Sequence, residues 1–106
     1  MTWRPVVLPL ATEDIRQAAS YYRDVAPAQV TRFLDNVQSV IDGLGEHPYS
    51  SVPHANGLRR RSVKAFPFSV WVDLDESART VAIVGVVHQR RDPRLIDERP
   101  RDITEN

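Results

Sequence analysis

Val30, Phe33, Leu34, Val37, Val40, Ile41 and Leu44 recur at spacings of three and four along one uninterrupted stretch. That spacing lays all seven on one side of an α-helix, and a helix with so broad an apolar stripe must cover another surface. Burying them contributes on the order of 10 to 20 kcal/mol before conformational entropy is set against it. Pro27 suits the first residue of this helix, and Gly45 followed by Pro48 suits its end.

A second helix precedes it. From Ala11, the apolar residues Ala11, Ile15, Ala18, Tyr22 and Val25 keep the same period, with Thr12 placed as N-cap and Glu13 and Asp14 near the positive helix end. The break "VAPAQ" is so short that the two helices fold back as an antiparallel hairpin. "RPVVL", closed by Pro9, reads as an opening strand. After the Pro/Gly/Asn-punctuated connection "GEHPYSSVPHANG" come three strand candidates, Leu58 to Phe66, Phe68 to Leu74 and Thr80 to His88. Pro67 marks the turn between the first two, because proline interrupts a ladder. "TVAIVGVVH" is apolar without alternation, as a central strand covered on both faces requires.

The expected fold is therefore α+β: an N-terminal strand, an antiparallel two-helix hairpin, then three antiparallel strands forming a small twisted sheet. A chain of 106 residues has room for one such core. The domain is expected to occupy residues 1 to 94, with residues 95 to 106 as a charged, aperiodic, partly mobile tail. No stretch reaches the roughly 20 apolar residues of a membrane span, and the N-terminus lacks an export signal, so the chain reads as soluble and cytoplasmic.

Fourteen basic and fourteen acidic residues cancel. Zero net charge is a poor basis for binding many phosphates, so affinity for nucleic acid at large is disfavoured. The distribution is more telling. Arg59, Arg60, Arg61, Lys64, Arg90, Arg91 and Arg94 fall in two short segments, and arginine's planar fork suits carboxylates as well as phosphates. With no cysteine, and with His47, His54 and His88 unsuited by spacing, neither a metal site nor any cofactor is expected.

The segments "LRRRSVKAFPFSVWV" and "VAIVGVVHQRRDP" resemble the "R…FPY.I.Y" and "VL.V.HgRRDP" segments of one branch of the RelE/ParE family, toxins of bacterial type II toxin–antitoxin modules. The resemblance runs from the opening strand to about Arg94, and the element order agrees. It implies a twisted sheet carrying the hairpin and a cognate antitoxin as partner. Members either cleave messenger RNA on the ribosome, like RelE, or poison DNA gyrase, like ParE.

A ribonuclease needs a proton acceptor for the ribose 2′-hydroxyl, cations for the phosphorane charge and an acid for the leaving oxygen. His88, Arg61, Lys64 and Arg90 are the residues for those tasks if the chain is RelE-like; His88 is equally suited to a structural hydrogen bond at a strand end. Alternation divides Arg60, Ser62 and Lys64 from Arg59, Arg61 and Val63, so only one set faces His88. Many RNA-cleaving relatives open the third strand with a Tyr-Arg or His-Arg pair, where this chain has "FPFSVW". That replacement and the neutral charge favour a ParE-like toxin that acts by binding gyrase. For the antitoxin, the expected contacts are the arginines Arg59, Arg60, Arg61, Arg90 and Arg91 and, on the hairpin, Val30, Leu34, Val37 and Ile41.

Overall fold

The computed structural model describes residues 2–103. Strand β1 (Arg4–Val7) leads into helix α1 (Pro9–Val25), and α2 (Val30–Glu46) follows after a 3-10 turn at Pro27–Gln29. Strands β2 (Val52–Pro53), β3 (Arg59–Ser62), β4 (Phe68–Asp75) and β5 (Thr80–His88) come next, then a short helix α3 (Arg94–Asp97). The five strands form one sheet in the order β1-β5-β4-β3-β2. No helix among the described residues is long and apolar enough to cross a membrane.

The three expected antiparallel strands are present as β3, β4 and β5. The sheet is mixed, because β1 pairs parallel to β5, and it is wider than expected, because the connection "GEHPYSSVPHANG" contributes β2 as an edge strand against β3. Strand β5 is buried from Thr80 to Val87, as its unbroken apolar run demands.

Several boundaries differ from expectation. Pro9 opens α1 instead of merely closing the strand: its missing N–H costs nothing in the first turn, and Leu8, not Thr12, is the capping residue. Gly45 does not end α2. It lies in the last turn because a side chain there would stand 3.1 Å from both the Trp3 carbonyl oxygen and Pro5 Cγ, and the Gly45 carbonyl accepts the Trp3 N–H at 2.8 Å. Strand β3 stops at Ser62, since the turn through Ala65, which has φ 67°, occupies the remaining residues up to Pro67.

The helices cover one face of the sheet. Phe33, Val37, Val40, Ile41 and Leu44 of the stripe join Ala11 and Ala18 of α1 and Val70, Val72, Val81, Ile83 and Val86 of the sheet in one buried cluster. Val30 is half-buried and Leu34 is exposed, so the sheet takes up five of the seven stripe residues. The opposite face has its own cluster of Leu8, Leu58, Trp71, Ala82, Val84, Val87 and Ile96. Ile96 belongs to the stretch that composition reads as a mobile tail, yet it is fully buried. The last part of that stretch, residues 104–106, lies outside the described residues.

Candidate partner surface and its cations

Strand β5 carries a bulge near its end. Trp71 pairs with Gly85 and Val72 with Ile83, so Val84 has no partner on β4. One extra residue reverses which side chains face each side. His88 consequently lies with Val86 on the helix side, opposite Phe68, with ring centroids 5.5 Å apart. The chain then turns tightly around it: the Arg90 N–H donates to His88 Nδ1 at 3.1 Å, and the Arg91 N–H to the His88 carbonyl at 2.9 Å. Accepting at Nδ1 leaves the proton of the neutral ring on Nε2.

Strand β3 distributes its arginines by alternation. Arg59 and Arg61 pair with Val72 and Val70 and share the helix side. Arg59 donates to the Ser51 hydroxyl at 2.9 Å and the Ser51 carbonyl at 2.7 Å, and its guanidinium lies 5.2 Å from the Tyr49 ring centre. Arg61 donates to the Ser50 hydroxyl at 2.9 Å and runs beside Gly43 of α2. Arg60 takes the far side, over the Trp71 ring at 5.7 Å. Lys64 sits in the β3–β4 turn, whose carbonyl accepts from Asn36 Nδ2 at 2.8 Å. The Tyr49 hydroxyl donates to Glu76, which pushes its pKa above the ordinary phenol value.

Among the described residues none of Arg59, Arg60, Arg61, Lys64, Arg90 and Arg91 forms an ion pair. Arg94 does: it grips Asp92 at 2.7 Å, and that hydrogen bond holds the Asp92 carboxyl below its usual range. Asp92 is thereby spent on Arg94. Among the described residues Arg90 and Arg91 have no carboxylate paired with them.

The predicted catalytic set is not assembled. His88 shares its cleft with Asp14, Gln17, Phe68 and Arg91, whereas Arg61 and Lys64 line a separate depression with Asn36, Ser39 and Ser62. Between them stand Val63, Phe66 and Phe68, packed with Tyr22 and Phe33 into an aromatic wedge. Burial also raises the pKa of Tyr22. His88 and the cations of β3 and its turn therefore face different openings, and the cation that shares the His88 cleft is Arg91. Arg90 projects from the turn after His88, exposed.

What does come together is a row of donors along the β2–β3–β4 edge. Arg60, Arg61, Ser50, Ser62, Ser69 and Gln89 line one open depression of about 460 Å³, floored on one side by Val52. Gln89 Nε2 reaches the Ser62 hydroxyl at 3.4 Å. The serines and Gln89 were not among the residues expected from sequence; the pairing of Ser62 with Ser69 is a tertiary fact, although their strand positions alternate suitably with Arg60. Of the apolar residues expected to meet a partner, Val37 and Ile41 are 2% and 5% exposed and face the sheet. Packing removes them from the surface, leaving Leu34, 39% exposed, and the half-buried Val30. Among the described residues no group of three or more histidine or acidic side chains is placed to hold a metal ion.

No curated protein matches the sequence significantly. The solved structures resemble it in fold. A chain of the chromosomal ParDE toxin–antitoxin system from P. aeruginosa superposes with a TM-score of 0.71 at 12% identity, over 81% of this chain and 95% of that one. A chain of the RelBE2 toxin–antitoxin complex from Mycobacterium tuberculosis superposes with a TM-score of 0.59 at 15% identity, over 83% of this chain and 99% of that one. The family model described as ParE toxin of type II toxin-antitoxin system, parDE, matches residues 6–93, which run from β1 through the basic turn after His88. Sheet order, hairpin and unpaired arginines thus sit within a span that places this chain in the ParE toxin family of type II toxin–antitoxin systems.

Proposed function

We propose that this chain is a growth-inhibiting toxin that acts in the cytoplasm by binding DNA gyrase, and that a cognate antitoxin neutralises it. The observation that carries the reading is the separation of His88 from Arg61 and Lys64 by the wedge of Val63, Phe66 and Phe68. A toxin that works by occupying a surface has no need of an assembled acid–base pair. It does need exposed groups that a partner can complete, and Arg60, Lys64, Arg90 and Arg91, exposed and without carboxylate partners among the described residues of a chain of zero net charge, supply them.

The same cations suit an acidic antitoxin segment. A disordered tail that folds on binding can set carboxylates against Arg60, Arg61, Arg90 and Arg91 and lay apolar residues over Leu34 and Val30. Anchors of that kind carry most of the affinity, and the rim arginines chiefly steer association.

Purified chain added to gyrase at stoichiometric ratio is expected to block supercoiling or trap cleaved DNA. An unaffected gyrase, together with codon-phased messenger cuts in expressing cells, would replace this reading with a RelE-like ribosome-dependent endoribonuclease. Unimpaired growth on expression would leave a module that folds but has lost its activity.

A further inference from the structure

The sheet face turned away from α1 and α2 is closed by the chain's own C-terminal segment. This segment begins where the family match ends, at residue 93. Ile96, fully buried, packs with Leu8, Trp71, Val84 and Val87, and Ile103 joins the margin of the same cluster. Farther on, Arg101 donates to the Asn56 carbonyl at 2.6 Å.

The attachment is made at the β5 bulge. Strand β1 pairs with β5 only as far as Ile83, and beyond it that edge of β5 has no strand beside it. Two side chains take the strand's place. Asp14 Oδ2 accepts the Val86 N–H at 3.0 Å, and Arg99 Nη1 donates to the Val84 carbonyl at 3.1 Å. They also grip each other, Nη1 to Oδ2 at 2.5 Å and Nη2 to Oδ1 at 3.0 Å, with side chains 11% and 9% exposed. Gly85 makes room for this: a Cβ there would stand 3.1 Å from Arg99 Nη1 and 3.2 Å from Ile96 Cδ1.

We infer that residues 93–103 form a latch that opens and closes as a unit on the α+β domain, with Arg99 as its pin. Its closed state rests on a few apolar contacts and one buried ion pair, whose charges regain water when it opens. The closed state also carries Asp97 Oδ1, which is buried without a hydrogen-bond partner and is satisfied on release. Such an element belongs at the low end of local stability, below the core of α2 and β4. Closing covers the Trp71 face and anchors the far end of the turn that presents Arg90 and Arg91. Opening frees both.

Amide hydrogen exchange on the whole 106-residue chain, resolved by residue, measures this. In the native protein the amides of Ile96 and Arg99, bonded to Pro93 and Ile96, are expected to exchange together, at least tenfold faster than those of Val37 and Val72. Arg99→Leu should speed the first group by a further tenfold or more and leave the second unchanged. Gly85→Ala should act alike from the other side of the contact. Equal rates for both groups in the native chain would overturn the latch, as would matching losses of protection in α2 and β4 on removing the pin. Free-peptide exchange at Ile96 and Arg99 in the native chain would show the segment undocked and also overturn it. Should Arg99→Leu fail to fold, the native rates decide alone.

Discussion

Phe68 stands directly opposite His88 across the β4–β5 ladder, and the two rings meet edge to face at 5.5 Å. Phe68 is also in ring contact with Tyr22 and Phe33, so His88 closes one end of an aromatic cluster at the point where β5 leaves the core. Its imidazole is held by packing and by the Arg90 amide, with no phosphate-binding side chain of β3 in the same cleft. Both contacts are ones that hold the end of β5 in place.

His88→Ala is therefore expected to leave growth inhibition intact while lowering stability by about 0.5 to 1.5 kcal/mol, the worth of one aromatic contact. Growth curves on induction, compared at equal soluble protein, check it. A non-toxic but well-folded variant would restore His88 as a catalytic residue.

Arg60→Glu combined with Arg91→Glu should weaken binding of an acidic antitoxin by tenfold or more, chiefly through slower association, with little change in melting temperature. Among the described residues neither side chain makes an ion pair, and the contact of Arg60 with the Trp71 ring is worth about 0.5 to 1 kcal/mol at an exposed site, so the fold loses little. Surface plasmon resonance across a salt series separates the effects: the native association rate falls steeply with salt, and that of the variant does so less.

Leu34 and Ile41 lie on one helix with opposite duties. Ile41→Ala should cost about 2 to 5 kcal/mol of stability, because it empties a site in the core between α2 and the sheet. Leu34→Ala should change stability by less than about 1 kcal/mol yet weaken antitoxin binding, since its side chain is 39% exposed. Urea unfolding beside a binding titration distinguishes the two; a Leu34→Ala variant that binds normally would remove Leu34 from the interface.

Asp73 supplies a pH signature. Burial, helped by Asp75 and Asp102 and opposed by Arg101, lifts its pKa above the ordinary 3.8. For a carboxyl so shifted, ionisation disfavours the folded state; the penalty is present above the raised pKa and disappears as pH falls toward the ordinary value. Asp73→Asn should therefore melt slightly higher than the native chain at pH 7, by less than about 1 kcal/mol in this half-exposed setting. The gap should close in melts taken toward pH 4. A gap that widens on acidification would reverse the assignment.

Local pattern was enough for much of this architecture. A period of three and four residues specifies the α2 stripe regardless of what it meets, and the unbroken run from Thr80 to Val87 specifies a strand buried on both faces. The clustering of arginines around β3 and after His88 is likewise written in the chain, and so is the resemblance to a toxin family. Each of these depends on residues close together in sequence.

Other features depend on pairings between distant segments, which no window of sequence contains. The parallel docking of β1 on β5 joins residues some 76 positions apart, as Arg4 with Thr80, and turns an antiparallel set into a mixed sheet. The bulge at Val84 decides on which side His88 emerges and turns it to the helix side, the side of Arg61, with Val63 and Phe68 standing between the two; alternation counted along a single strand misses it. Burial divided the stripe, drawing Val37 and Ile41 into the core and leaving Leu34 outside. The charged end of the chain reads as solvated because its composition is polar, yet Ile96 and Arg99 find an apolar face and a carboxylate 85 residues away at Asp14. Sequence by itself determined which segments become helix and strand, because hydrophobic period is local. Tertiary structure alone decided which charges are satisfied within the fold and which face outward, because a buried ion pair or a covered face exists only when separate segments meet.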